Sequence, residues 1–455
     1  MTAQTILPAN TLSSGFDVAN SVRFDTNAYM HKTPGSAGTL TTWTLSTWIK
    51  RSKLGATQYI FTSKNDGNNQ TFAYFNSNDT IIFFDTDGNA DQGKLITDRL
   101  FRDVGAWYHL VFIWNTTDGT AGDRIQLWVN GVRETSFSTQ TNPDQNDAST
   151  MGDAHIIEVG RGGEDSNYAN FYMAQTVYQN GSAASPVDVF GEFDSDSGIW
   201  KPINVSGLTF GTNGFYLDFE ASGNLGNDAN GGTDLTEVNV AATDQSTDTC
   251  TNNFCTWNPI ANYTNSVAFS EGNLIAMSGA NDRWDSGRAS MGFAKGKWYF
   301  ECLFVAGVST QYIGVTDESA KFNTANAHDE DGVTVFYNNS GGEIRKDGTA
   351  TTADYGTFSS SEVAGIAIDA DNFTISVYKG GSLIVDAYDL STTRTGFLFP
   401  FTTNLNNGDG VKVNFGSPLY SESGGNTDAN GYGNFNQSVP SGYFAINTKN
   451  LAEHG

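Results

Sequence analysis

Short runs in which large apolar and polar residues alternate recur along most of the 455-residue chain. In 107–114 a period of two places Tyr108, Leu110, Phe112 and Trp114 on one face, as a half-buried strand requires. Residues 124–131 repeat the pattern and end on Asn130-Gly131, a pair that favours the tight turn of a hairpin. Further runs lie at 21–24, 43–50, 58–61, 155–161 and 171–178, and in the second half at 296–301, 312–315, 365–372, 375–379, 398–400 and 413–416. Clusters of Gly, Asn, Asp and Ser separate them, and no helical period is sustained. The chain is therefore expected to be all-β, with two β-sandwich domains joined by an ordered connector. The boundaries read as an arm at 1–20, a first sandwich at 21–220, a connector at 221–265, a second sandwich at 266–420 and a tail at 421–455. Residues 223–256 hold few large apolar side chains, so the connector should lie on its neighbours without a core of its own.

Composition agrees with this reading. Fifty glycines, nine prolines and only 16% charged residues suit many short strands and turns. The length calls for two or three cores. A net charge of −26 repels phosphate backbones and anionic bilayers, so nucleic-acid binding is not expected. No apolar run reaches the ~18 residues of a membrane span, so membrane insertion is not expected either. Met1-Thr2-Ala3-Gln4 lacks a basic start and no apolar stretch follows, which predicts synthesis in a cytoplasm without a signal peptide. Three cysteines make no disulfide framework. Cys250 and Cys255 are close enough in sequence to pair, and Cys302, in a strand run, reads as a buried thiol.

Two stretches resemble known modules. Gly296-Lys297-Trp298-Tyr299-Phe300-Glu301, Tyr312-Ile313-Gly314-Val315, residues 365–372, Leu398-Phe399-Pro400 and Val413-Asn414-Phe415-Gly416 follow one another as in a SPRY domain, a binding module. Residues 43–50, 107–114, 125–131, 155–161 and 171–178 resemble a concanavalin A-like jelly roll of the laminin-G or pentraxin kind. Residues 214–219, 252–259 and 440–451 are similar to the joints of tailed-bacteriophage virion proteins. That resemblance implies a protein of the virion surface, most simply a tail-fibre or receptor-binding adhesin. It implies other virion proteins and host-surface polysaccharide as partners, and a homo-oligomer, commonly a trimer. The chain has neither heptads nor a collagen-like repeat to hold a fibre together, which keeps a capsid-decorating or accessory role open.

Candidate chemistry is sparse. A retaining glycosidase needs two carboxyl groups about 5 Å apart. The nearest pattern, Glu192-Phe193-Asp194-Ser195-Asp196, departs from that of the glucanases and follows the last clear strand. No nucleophile elbow is present, and His109 and His155 read as packed strand residues. No enzyme is expected. Calcium at the rim of the first sandwich is implied by the jelly-roll resemblance, with Asp85, Asp87, Asn89, Asp91, Glu164 and Asp165 as oxygen ligands. The plainer reading of the same clusters is β-turns. In the second half Trp284, Asp285, His328, Asp329, Tyr337 and Asn338 fall in or beside loops where SPRY-like modules bind, and their aromatic and acid or amide groups suit a sugar. Trp284 and Tyr337 read equally as core or hairpin residues. Trp43, Trp48, Trp107, Trp114 and Trp128 are assigned to core packing.

Overall fold

The computed structural model describes residues 15–163, 167–261, 267–305, 310–320, 327–329, 331–338, 342–390, 396–419 and 424–455. The chain divides into two compact units between Thr251 and Asn252. The N-terminal unit begins with β1 (Ser21–Phe24), β2 (Tyr29–Lys32), β3 (Thr42–Arg51), β4 (Gln58–Asp66), β5 (Asn69–Phe75) and β6 (Ile81–Asp87). It continues through β7 (Ala90–Thr97), β8 (Trp107–Asn115), β9 (Ile125–Val129), β10 (Val132–Arg133), β11 (Phe137–Thr141) and β12 (Ile156–Val159). It ends with β13 (Phe171–Asn180), β14 (Gly191–Phe193), β15 (Trp200–Pro202), β16 (Phe215–Leu217), β17 (Thr236–Val238) and β18 (Gln245–Ser246).

These strands form two antiparallel sheets and a small hairpin. Sheet one runs β10-β9-β8-β3-β13-β1-β18, with β16 also on β13; sheet two runs β11-β7-β6-β5-β4-β12-β2-β17; β14 and β15 pair alone. Their inner faces share one core. Trp43 pairs in register with Trp114 and Leu45 with Phe112, and all four are buried. The rings interlock edge to face: Phe112 lies 5.4 Å from both Phe61 and Phe83, and Trp43 lies 5.7 Å from Phe83. Such contacts add to the burial that drives the sandwich together.

The outer face of sheet one is covered as well. Trp48, Trp107, Tyr172 and Cys250 pack with Trp200 of β15, while Val111, Ile113 and Val177 pack under residues 183–210. Residues read as the start of a connector complete this unit. β17 extends sheet two beside β2, β18 extends sheet one beside β1, and Asp248 forms a buried ion pair with Lys50 at 2.7 Å.

The C-terminal unit holds β19 (Ala268–Ser270), β20 (Ile275–Met277), β21 (Asp285–Arg288), β22 (Lys297–Phe304), β23 (Gln311–Asp317), β24 (Val333–Tyr337) and β25 (Glu343–Lys346). After these come β26 (Thr349–Ala350), β27 (Val363–Asp369), β28 (Thr374–Lys379), β29 (Ser382–Asp389), β30 (Leu398–Asn404), β31 (Gly410–Asn414), β32 (Phe444–Ala445) and α1 (Thr448–His454). One sheet runs β19-β20-β31-β22-β27-β28-β29 with β32 on β22, the other β21-β30-β23-β24-β25-β26. Trp298, Phe300, Ile313, Val315, Ile366 and Val413 fill the space between them. Residues 369–372 turn the chain from β27 into β28, with Asp369 Oδ1 accepting the backbone N–H of Asp371 and Asn372.

The two joint-like segments of this unit lie side by side. Cys255 N–H donates to the Ile446 carbonyl, Thr448 N–H to the Asn253 carbonyl, and the Thr448 hydroxyl accepts from Asn253 N–H. A short repeat escaped the sequence reading. Asp228-Ala229-Asn230-Gly231 and Asp428-Ala429-Asn430-Gly431 fold alike: each Asp Oδ1 accepts the N–H two residues on, and each Gly has a φ of +81°. Asp428 Oδ2 accepts from Ala445 N–H and the Asn450 amide, whereas the buried Asp228 Oδ2 meets no donor.

Candidate functional site

Sheet two has an outer face that, among the described residues, no second layer of strands covers. Cross-strand register sets two rows on it. Tyr59, Tyr74, Ile82, Ile96 and Thr139 form one row across β4, β5, β6, β7 and β11. His31, Glu158, Thr62, Phe72, Phe84, Lys94 and Thr141 form the next. The rings touch: Tyr59 lies 4.8 Å from Tyr74 and 5.6 Å from Phe72, and Phe72 lies 5.1 Å from Phe84. Tyr59, Tyr74, Phe84 and Ile96 remain partly open to solvent.

A glycine-rich loop borders this patch. Any Cβ on Gly162 would stand 2.4 Å from the Tyr59 ring, so only glycine lets the chain lie there. Beneath it the buried Glu158 carboxylate is held by Arg161 and by Gly163 N–H at 2.9 Å, and the Arg161 guanidinium lies 3.9 Å over the Tyr29 ring. Lys94 sits 4.6 Å over Phe84 and pairs with Asp91 at 3.3 Å. The prominent charges are thus paired locally. What is left is an aromatic patch flanked by hydroxyl and amine groups. It suits a ligand with an apolar face and a polar rim, as a pyranose has. Burial raises the Tyr74 phenol above its ordinary pKa, so it stays a hydroxyl able to donate.

The calcium expectation at residues 85–91 is corrected. Residues 85–91 form the β6–β7 hairpin, whose Gly88 (φ +56°) and Asn89 (φ +69°) make a two-residue turn of the I′ kind. Asp85 points into the sandwich, accepts the Thr71 hydroxyl at 2.5 Å and is pushed up to about 7 by burial. Asp87 is exposed, and Asp91 turns to Lys94. These carboxylates do not converge, and no metal-holding group of three or more Asp, Glu, His or Cys exists among the described residues. Glu164 and Asp165 lie outside the described residues.

Of the six ligand residues read in the second half, three come together. The Trp284 ring lies 4.0 Å from His328, which stacks on the buried Tyr312 at 4.9 Å. Asp329 Oδ1 is 3.3 Å from His328 Nε2 and 3.4 Å from Arg345. His328 is itself buried, and burial lowers its pKa to about 4. The cluster is a packed layer on β23 and β24 in which Trp284 alone of the three rings is partly open. Asp285 and Asn338 are corrected as ligand groups. Asp285 is fully buried, accepting from Arg283, Ser278 and Gly279. The Asn338 amide clips both backbone groups of Phe358. Tyr337 pairs through its backbone with Tyr312 and Glu343.

Neither Glu192 with Asp194 nor Ser46 with His109 has catalytic geometry. Glu192 and Asp194 share Lys201, and hydrogen bonds from Ser197 hold Asp194 down at about 2, the wrong direction for a general acid. Ser46 Oγ does lie 2.8 Å from His109 Nε2. But Trp200 Nε1–H donates to His109 Nδ1 at 3.0 Å, so the one imidazole proton sits on Nε2, where a general base must have a lone pair. His109 is stacked between Trp48 and Trp200, and burial drives its pKa to about 3. Cys250, Cys255 and Cys302 are buried free thiols, so the pairing of the first two is not formed.

A family model described as concanavalin A-like lectin/glucanases superfamily matches residues 24–175. The N-terminal unit has a concanavalin A-like fold. The matched span carries every strand of the aromatic face except β17. No curated protein matches the chain. Similar solved structures include the SPRY domain of human HERC1, at 20% identity over 31% of this chain and 87% of that one, with a TM-score of 0.27. The TRIM65 PSpry domain is 13% identical over 35% of this chain and 91% of that one, TM-score 0.28. A heptameric SAP-like pentraxin of Limulus polyphemus is 15% identical over 38% and 81%, TM-score 0.28.

Proposed function

We propose that the chain is a non-enzymatic adhesin that holds uncharged glycan on the outer face of sheet two. The observation that carries this reading is the platform of partly open Tyr59, Tyr74 and Phe84 around the buried Phe72, on a sheet whose partner sheet is covered on both sides. The lectin and glucanase name of the matching family points the same way. We read the protein further as a component of a tailed-phage surface that attaches to host polysaccharide, supported by the joint-like segments at 214–219, 252–259 and 440–451. The lack of heptads or collagen-like repeats favours, as second reading, a decorating or accessory virion protein.

The test is binding of the full chain to a panel of neutral polysaccharides by affinity electrophoresis and calorimetry. Tyr74→Ala and Phe84→Ala should each weaken binding about tenfold, the effect of losing one to two kcal/mol of stacking. Wild-type affinity in two folded variants would remove the platform from the account.

A further inference from the structure

The lateral edges of the two sheets in the N-terminal unit are not alike. β10 and β18 are two residues long, and β17 has three residues including Glu237. In the C-terminal unit β29 is long, but two register shifts break it and it carries Asp386 and Asp389. Shortness, charge and irregularity are the usual ways an edge is kept from pairing with another chain. β11 has little of this protection. Phe137, Ser138, Thr139, Gln140 and Thr141 include no charge and no proline, with one irregularity, between Phe137 and Thr139. It pairs on one side with β7 and, among the described residues, ends its sheet on the other.

The surroundings of β11 are also unusual. Of the five exposed large apolar side chains among the described residues, two belong to segments joined or bonded to the chain just before it. Val132 is 57% exposed in β10, and Leu100 is 44% exposed just after Asp98 and Arg99, which bond to Ser136 and Glu134. Beside β11 the sandwich opens into a cleft of about 140 Å³ lined by Ile125, Gln126, Arg133, Glu134, Phe137 and Gln140. The charged members are engaged, Arg133 with Asp123 and Glu134 with Arg99.

We propose that this edge is a docking surface for a second copy of the chain, with β11 pairing antiparallel to β11 across a two-fold axis. In a molecule of net charge −26 two copies repel over most of their surface, so a neutral edge is where they can approach. A two-fold contact must be self-complementary. Here each copy offers both exposed aliphatic side chains and a cleft with room for one. The pairing joins both copies of sheet two into one sheet and sets their aromatic faces side by side. It does not depend on the glycan reading.

The test, in the absence of any ligand, is the mass of the full chain by light scattering and analytical ultracentrifugation from about 1 to about 100 μM, the range of weak to moderate association. A two-chain species that grows with concentration is expected. Val132→Asp combined with Gln140→Lys should weaken it about tenfold or more with an unchanged melting temperature. Thr139→Cys should form a disulfide-linked dimer on mild oxidation, since the three native thiols are buried. A single-chain mass throughout, a three-chain mass, or a dimer that ignores the double variant overturns the proposal.

Discussion

Two buried titratable residues set opposite pH slopes on the stability of the N-terminal unit. Asp85 holds its proton to about 7 in the fold, because burial disfavours the carboxylate and Asp87 and Asp147 add to the effect. The unfolded chain loses that proton near the ordinary 3.8. Stability is therefore full below about pH 4 and falls as pH rises to 7, by roughly 4 kcal/mol at most. Asp85→Asn should raise the melting temperature at pH 8 and change it little at pH 4. Equal shifts at both would refute this assignment. His109 works the other way: its pKa is lowered to about 3 from 6.5, so its contribution is present above pH 6.5 and is lost as pH falls towards 3. Asp85 and Asp87 were legible as turn-proximal acids but not as divergent ones. A strand sends residue 84 outward and residues 85 and 87 to the same side, so the two acids differ by position along it: Asp85 lies over the core, whereas Asp87 stands exposed where the hairpin turns. The alternation itself was hidden because Ile81, Ile82, Phe83 and Phe84 are all apolar.

Among the elements, the long strands were readable because one or both faces are uniformly apolar and bounded by turn residues; residues 107–114 became β8 with Leu110, Phe112 and Trp114 in the core as expected. The aromatic face was not readable, since period and composition do not reveal whether a second layer covers a sheet. The matched Asp-Ala-Asn-Gly turns were missed because four residues 200 positions apart look like ordinary turn chemistry. Their inequality gives a prediction. Asp428 accepts four hydrogen bonds through two oxygens, whereas one oxygen of Asp228 is unmatched. Asp428→Ala should destabilise the C-terminal unit by about 3 kcal/mol, leaving buried donors unpaired. Asp228→Ala should cost the N-terminal unit clearly less. Unfolding each variant in denaturant, with both units followed, decides it; equal losses would mean the turns are held by something other than their carboxylates.

At the scale of the whole molecule, a strongly acidic chain presents a face whose charges are paired internally. Binding of neutral glycan there should change less than about threefold between 50 and 500 mM salt, since screening acts on net charge and not on stacking. A steep salt dependence in titrations would point to an ionic ligand instead. The distribution of indole rings has its own consequence. All nine tryptophans lie elsewhere than on the strands of sheet two. Intrinsic tryptophan emission should therefore stay silent when that face is occupied, and tyrosine absorbance or chemical nitration of Tyr59 and Tyr74 becomes the optical signal to follow.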